Sequence, residues 1–356
     1  MHIVHVIFSF GVGGAENLLV DILNEQVKTV SVSLMVINRR YSPALLQRID
    51  PRVAVICLNR TEGNRWNLLP LLRGWALLLA QRPTVLHCHD HDLMKLLWPW
   101  RRRAVLTAHT VGLPTTYLPR FCRVFAISEA VRADLARRGF PGSVVVLNGI
   151  DFAAFTRKTT YTDYQSGFRL VQISRLLHSH KGQDVALRAM HHLVHAQGCH
   201  HLHLSLVGEG PSQEFLENLT RELNLEAHVS FLGSRDRAWV MAELHTFDVL
   251  LQPSRLEGFG LTLLEGIAAG LPVVASDVEG PAEILRDLPT GLLCPPGDAA
   301  ALAAQLQVVF GRYRAGQLAV GAAAARAAAE SRFSVHQTAA NYLRLYPTGL
   351  AQGTLA

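Results

Sequence analysis

Thirteen short apolar runs rich in β-branched residues recur along the chain, and this rhythm restricts the fold more than any other feature. The first seven read HIVHVIF, VSVSLMVI, VAVICL, VLHCH, AVLTAH, RVFAIS and VVVLNG; the rest are FRLVQIS, HLHLSLVG, VSFLG, FDVLLQPS, PVVASD and GLLCP. Amphipathic stretches such as AENLLVDILNEQ and SEAVRADLARRG stand between several of them. Near-continuous apolar strands alternating with helices predict parallel sheets covered on both faces, an α/β fold. The rhythm breaks once, at DFAAFTRKTTYTDYQSG (151–167), where threonine, tyrosine, glycine and charge replace the period. A chain of 356 residues holds two cores of ordinary size. We therefore expect two doubly wound domains, 1–155 and 156–333, followed by a C-terminal helix and a frayed tail over 334–356. Alanine's helix propensity accounts for the alanine-rich composition after residue 298 without a function.

Several classes of function are disfavoured. No uncharged apolar run of eighteen residues is present, and the start MHIVHVIFSFGVGGAE enters a strand pattern without a basic leader, which predicts a cytoplasmic protein. The five cysteines are scattered and never spaced as CxxC, so free thiols are expected rather than a disulfide framework or zinc knuckle. No nucleic-acid-binding motif accompanies the positive charge.

Ligands of doubly wound sheets sit beyond the carboxyl ends of the strands, so chemistry should follow the strands directly. Gly13 and Gly14, in SFGVGGAEN (9–17), let a loop turn tightly into a helix N-terminus. This loop misses the dinucleotide fingerprint, since the third glycine position holds Glu16 and the second strand ends in Asn38-Arg39-Arg40. A dehydrogenase is disfavoured. In the second half, RLLHSHKG places Arg175 and Lys181 just past a strand, a cation pair suited to a diphosphate. VGEGP (207–211) supplies Gly208 and Glu209 in a loop able to approach a flat ring, and EGFGLTLLE opens a helix N-terminus favourable to phosphate.

Together these motifs resemble the retaining, nucleotide-sugar-dependent glycosyltransferases of glycosyltransferase family 4, which have the GT-B fold. The most specific element is E-x7-E, here Glu257 and Glu265 within PSRLEGFGLTLLEGIAAGLPVVAS; NGID (148–151), TAHT (107–110) and TGLLCPPGD (290–298) support it. The resemblance implies two Rossmann-like domains facing across a cleft, the first for the acceptor and the second for the donor, with the C-terminal helices returning to the first domain. It implies that Arg175 and Lys181 hold the donor diphosphate, that Glu265 takes the ribose hydroxyls, and that Glu257 faces the donor sugar with His109 over it. Gly13 and Gly14 would close on the diphosphate, Gly208 and Glu209 would edge the base, and Gly258, Phe259, Gly260 and Leu261 would line the phosphates. The donor would be UDP- or GDP-linked, with no cofactor and no metal. The chain departs from the family where it reads DVEGPAEIL, with Gly280, Pro281 and Glu283, and where His178 and His180 precede Lys181. Runner-up readings are a GT-B epimerase or hydrolase and a catalytically degenerate partner subunit; the conjunction of Arg175, Lys181, Glu257 and Glu265 favours transfer.

Two features bear on the acceptor. HCHDHD (87–92) would put His87, His89 and His91 on one face of an extended strand, resembling a metal site; the family resemblance instead makes His87, His89 and Asp90 acceptor-side polar residues. Charge is uneven: residues 1–150 carry 18 Lys and Arg against 9 Asp and Glu, whereas the remainder carries 16 against 19. Within the basic half, RWNLLPLLRGWALLLAQR (65–82) and WPWRRR (98–103) mix aromatic, leucine and arginine residues. Such segments suit an anionic lipid surface. We expect a glycan or lipid-linked acceptor of cell-surface polysaccharide or lipopolysaccharide assembly, and a peripheral place on the inner face of the cytoplasmic membrane.

Overall fold

The computed structural model describes residues 1–63, 67–161 and 167–347. The start of the aromatic segment at 65–66, the middle of the linker and the polar tail expected to fray lie outside the described residues. The chain divides into two compact units, 1–149 with 335–356 and 150–334. The boundary falls at residue 150, a few residues before the expected 155, and the C-terminal segment belongs to the first unit.

The first unit is a seven-stranded sheet of β1 (His2–Ile7), β2 (Ser31–Asn38), β3 (Ala54–Arg60), β4 (Val85–Cys88), β5 (Ala104–Ala108), β6 (Arg123–Ala126) and β7 (Val144–Val145). Its order is β3-β2-β1-β4-β5-β6-β7 and its pairs are parallel. Helices α1 (Gly14–Gln26), α2 (Pro43–Leu46), α3 (Leu69–Gln81), α4 (Met94–Leu97) and α5 (Glu129–Arg137) accompany it.

The second unit repeats the plan with β8 (Phe168–Ile173), β9 (Leu202–Val207), β10 (Val229–Gly233), β11 (Val249–Gln252), β12 (Val273–Ser276) and β13 (Gly291–Cys294), in the order β10-β9-β8-β11-β12-β13. Its helices are α6 (His178–Lys181), α7 (Gln183–His191), α8 (Gln213–Glu222), α9 (Arg237–Glu243), α10 (Leu261–Ala268), α11 (Glu279–Leu285), α12 (Ala299–Arg314) and α13 (Leu318–Phe333). A last helix, α14 (Val335–Leu345), packs on α1 of the first unit.

Burial explains why the apolar runs became strands: β4, β5, β11 and β12 are buried along their whole length, as covered parallel sheets require. In each unit the strand order reverses beside the first strand, between β1 and β4 and between β8 and β11. A crevice opens at such a switch point, beyond the carboxyl ends of the strands. SFGVGGAEN follows β1 and EGFGLTLLE follows β11 at these points, whereas VGEGP follows β9. Among the described residues no helix is long and apolar enough to cross a membrane.

Candidate active site

In the second unit the switch point gathers the residues singled out in the sequence. Arg175 is exposed just past β8, and Lys181 ends α6. The Lys181 ammonium donates to Glu257 Oε2 at 2.7 Å, and Gln252, the last residue of β11, donates to the same oxygen at 2.6 Å. Residues 76 apart in sequence thus meet in one ion pair, with side chains 28% and 15% exposed.

Local packing makes this approach possible. Gly182 lies at φ +66°, and a Cβ there would fall 1.9 Å from the Pro253 carbonyl oxygen, so only glycine lets the Lys181 turn press against the end of β11. Gly208, at φ +135°, plays the same part for the next strand, since its Cβ would stand 2.0 Å from the Ser174 carbonyl oxygen. The glycines of VGEGP are therefore required by strand-end packing as well as by any ligand, while Glu209 stays exposed.

Arg255 then fastens the loop. Its guanidinium forks onto both carboxylate oxygens of Asp184 at 2.8 Å and also donates to the His178 carbonyl, and its backbone N–H donates to His180 at 2.7 Å. Burial would raise the Asp184 carboxyl, but the hydrogen bonds and charge of Arg255 hold it below the ordinary range. A bidentate, partly buried pair of this kind fixes geometry well. Sequence reading missed Arg255, Asp184 and Gln252; the only local signal is that Arg255 lies two residues before Glu257.

Gly260 is the N-cap of α10 and brings no side chain of its own to the first-turn amides. Gly258 and Leu261 flank this turn, half-buried, whereas the Phe259 ring is buried against Phe333, 5.9 Å between centroids. Phe259 thus serves the core with its side chain and can meet a ligand only through its backbone. Glu265 faces Arg237 at 3.5 Å, both nearly buried, so a ribose hydroxyl at this carboxylate would share it with a guanidinium.

In the first unit Gly13 is the extended N-cap of α1 and Gly14 its first residue; a Cβ on Gly13 would collide with the Glu16 carboxylate at 2.4 Å. Asp90 accepts the Phe8 amide at 2.9 Å, tying the end of β4 to that of β1. His91 begins a 3-10 turn instead of extending the strand, because β4 stops at Cys88. His87 corrects the expectation of an acceptor-side residue: it is fully buried, bonded to Thr107 Oγ1 at 2.6 Å and the Tyr346 hydroxyl at 2.7 Å. Strand alternation aims it into the core beside His5, its register partner on β1.

His89 and His109 remain at the strand ends, 3.1 Å apart through Nδ1 and Nε2. Nitrogens of His5, His87 and His89 lie within 4.8 Å of one another, a donor set of the type that holds zinc or copper. Both nitrogens of all three rings are hydrogen-bonded to protein groups, with which an ion would have to compete. Burial lowers the pKa of His5 and of His109 to about 4, and drives those of His87 and His89 well below the ordinary value. All four are neutral near pH 7.

Two parallel sheets of this topology, each with a glycine-rich loop at its switch point, make a pair of Rossmann-like units, and comparison with known proteins gives the family. Residues 163–310 match the family Glycosyl transferases group 1, and residues 12–154 match Glycosyltransferase Family 4. The Mycolicibacterium smegmatis phosphatidyl-myo-inositol mannosyltransferase is 31% identical over 281 residues, covering 74% of this chain and 71% of that one. The Erwinia amylovora amylovoran biosynthesis glycosyltransferase AmsK is 29% identical over 275 residues, 74% of this chain and 63% of its own. The crystal structure of Anabaena HepE in complex with UDP and glucose superposes with a TM-score of 0.79 at 21% identity, over 97% and 98% of the two chains, and shows the shared GT-B fold. The chain belongs to the group 1 glycosyltransferases of family 4 and is a sugar transferase.

Proposed function

We propose that the protein is a retaining glycosyltransferase that moves a sugar from a UDP- or GDP-linked donor to a glycan or lipid-linked acceptor in cell-surface polysaccharide or lipopolysaccharide assembly. The observation that carries this reading is the meeting of Lys181 and Glu257 at the β8–β11 switch point, held by Gly182 and by the Arg255–Asp184 pair. Arg175 and Lys181 bind the diphosphate and neutralise the charge that grows on it as its bond to the anomeric carbon breaks. Glu257 orients the donor-sugar hydroxyls, Glu265 the ribose, and His109 a further sugar hydroxyl. Both carboxylates already have cationic partners, which suits binding hydroxyls better than acting as a free nucleophile. The acceptor oxygen therefore attacks from the face the diphosphate leaves, and its proton passes to a departing diphosphate oxygen. No metal or cofactor enters these steps. Turnover with a panel of UDP-, GDP- and ADP-sugars, followed by nucleoside diphosphate release with and without EDTA, tests this. Release from one donor class, unchanged by EDTA, is expected; release only with added metal or from no donor would refute it.

The first unit supplies a surface for the acceptor's setting. On α3 only Gly74 and Leu78 are buried, while Leu69, Leu72 and Leu79 are 77%, 60% and 55% exposed. Trp75 joins this face to the next segment, donating its indole N–H to Leu96 and meeting Trp100 edge-on at 5.7 Å. Exposed Trp98 carries the guanidiniums of Arg101 and Arg120 at 4.6 and 5.2 Å from its ring. An apolar helix face bordered by cation-bearing aromatics fits an anionic bilayer surface on the cytoplasmic side, where a lipid-linked acceptor would lie. The wild-type protein is expected to sediment with phosphatidylglycerol vesicles at low salt, and the double variant L72E/L79E to bind at least ~10-fold more weakly. Equal binding by the two would remove this face from the account.

A further inference from the structure

The first unit buries an unusual amount of polar chemistry behind His109. His109 Nε2 stands 3.1 Å from His89 Nδ1, and His89 Nε2 stands 3.0 Å from His5 Nδ1. His5 Nε2 in turn meets Gln26 Oε1 at 2.8 Å, and Gln26 Nε2 meets the Tyr346 hydroxyl at 3.2 Å. The chain continues from Tyr346 to His87 Nδ1 and from His87 Nε2 to Thr107 Oγ1, which donates to the Tyr342 hydroxyl at 3.1 Å. Neighbouring histidine rings stack 4.6 to 5.3 Å apart, and Tyr342 of α14 with Tyr346 just beyond it closes the far end, both buried. The near end is open in one respect: His109 Nδ1 is buried and has no hydrogen-bond partner.

A neutral imidazole has one donor and one acceptor nitrogen, so a hydrogen bond at one nitrogen fixes the role of the other. An amide oxygen only accepts. Gln26 Oε1 therefore requires a proton on His5 Nε2, which leaves His5 Nδ1 as an acceptor for His89 Nε2–H, and His89 Nδ1 as an acceptor for His109 Nε2–H. His109 Nδ1 is then a bare lone pair. The opposite orientation of the Gln26 amide would reverse every donor and acceptor in the chain and put a proton on His109 Nδ1. Because the far end is buried at Thr107 and Tyr342, the chain orders protons without conducting them to solvent.

We propose that this histidine chain is a tautomer lock, in which Gln26, His5 and His89 act as positioning residues that hold His109 Nδ1 as a hydrogen-bond acceptor for a substrate hydroxyl. Only that last consequence rests on the transferase reading; the lock itself does not. A hydroxyl that reaches Nδ1 as the groups now covering this buried atom give way satisfies the one orphaned atom of the network, and no rearrangement of the rings behind it is needed.

Imidazole-15N-labelled protein tests the lock directly. Couplings across the N–H···N bonds are expected to link His109 Nε2 to His89 Nδ1 and His89 Nε2 to His5 Nδ1, with the proton on the first-named nitrogen of each pair. A proton on His109 Nδ1, or no coupling between the rings, overturns the proposal. In Gln26→Leu the His5 Nε2–H loses its acceptor, and the reversed tautomer is expected to appear in the same fraction at His5, His89 and His109; unequal fractions overturn the coupling. Should that variant not fold, the wild-type couplings decide alone. With a donor sugar, kcat in Gln26→Leu falls in proportion to the reversed fraction while donor KM holds. A protein showing the couplings but turning over no nucleotide sugar keeps the lock and refutes the transferase role.

Discussion

Replacing Lys181 with alanine is expected to lower kcat by ~10²–10³-fold and to change donor affinity far less, and Arg175→Ala to act in the same direction. The difference arises because the diphosphate gains negative charge only as the glycosidic bond breaks, so its cations stabilise the transition state more than the bound donor. Lys181 has a second effect, because its removal takes from Glu257 the ion pair and leaves the Gln252 hydrogen bond. Steady-state kinetics with calorimetric donor binding separates the two quantities. Equal losses in turnover and binding would mean that the pair merely anchors the donor.

Mild acid should destabilise the first unit. Burial holds His5 and His109 at about 4 and His87 and His89 well below their ordinary values, so the folded unit binds fewer protons than the unfolded chain in the window between. Stability from such groups is fully present above the unfolded histidine value of about 6.5 and is lost as the pH falls toward the folded value. One histidine shifted to about 4 costs about 2 kcal/mol by pH 5, or ~5 °C in a unit of this size. Glu16 and Asp90, whose carboxyls burial raises, act in the opposite sense and recover part of the loss. Calorimetry at pH 7 and pH 5 is expected to show the transition of the first unit moving down by about that amount. An unchanged midpoint would mean that the histidines are not buried in solution.

Much of the fold was legible because its signal is local. Each apolar run became a strand of one of the two parallel sheets, and the expected helices α1 and α5 followed from amphipathic spacing between them. The glycine turns at the strand ends were legible for a similar reason, since a backbone turn that needs glycine, as at Gly182 and Gly208, is decided within a few residues. What stayed hidden depends on partners far along the chain. His5 looks like a stray polar residue in a strand until His89, 84 positions on, and Gln26 are placed beside it. Gln26 and Tyr346 are 320 residues apart and meet only because α14 returns to α1. His87 was misread because the extended pattern of HCHDHD continues in sequence, whereas the strand it belongs to ends at Cys88 and its ring points inward.

Glycosyl transfer with retention is decided most directly by proton NMR of the product formed from an α-linked nucleotide sugar and a lipid-linked acceptor, with the anomeric signal followed from the first turnovers. An α-configured product, formed by wild type and lost in Lys181→Ala, is the expected result. A β-configured product would require a general base that takes the acceptor hydroxyl's proton as it attacks from the face opposite the diphosphate, a role for which Glu257 and Glu265, each already paired with a cation, are not placed, and would contradict the front-face mechanism.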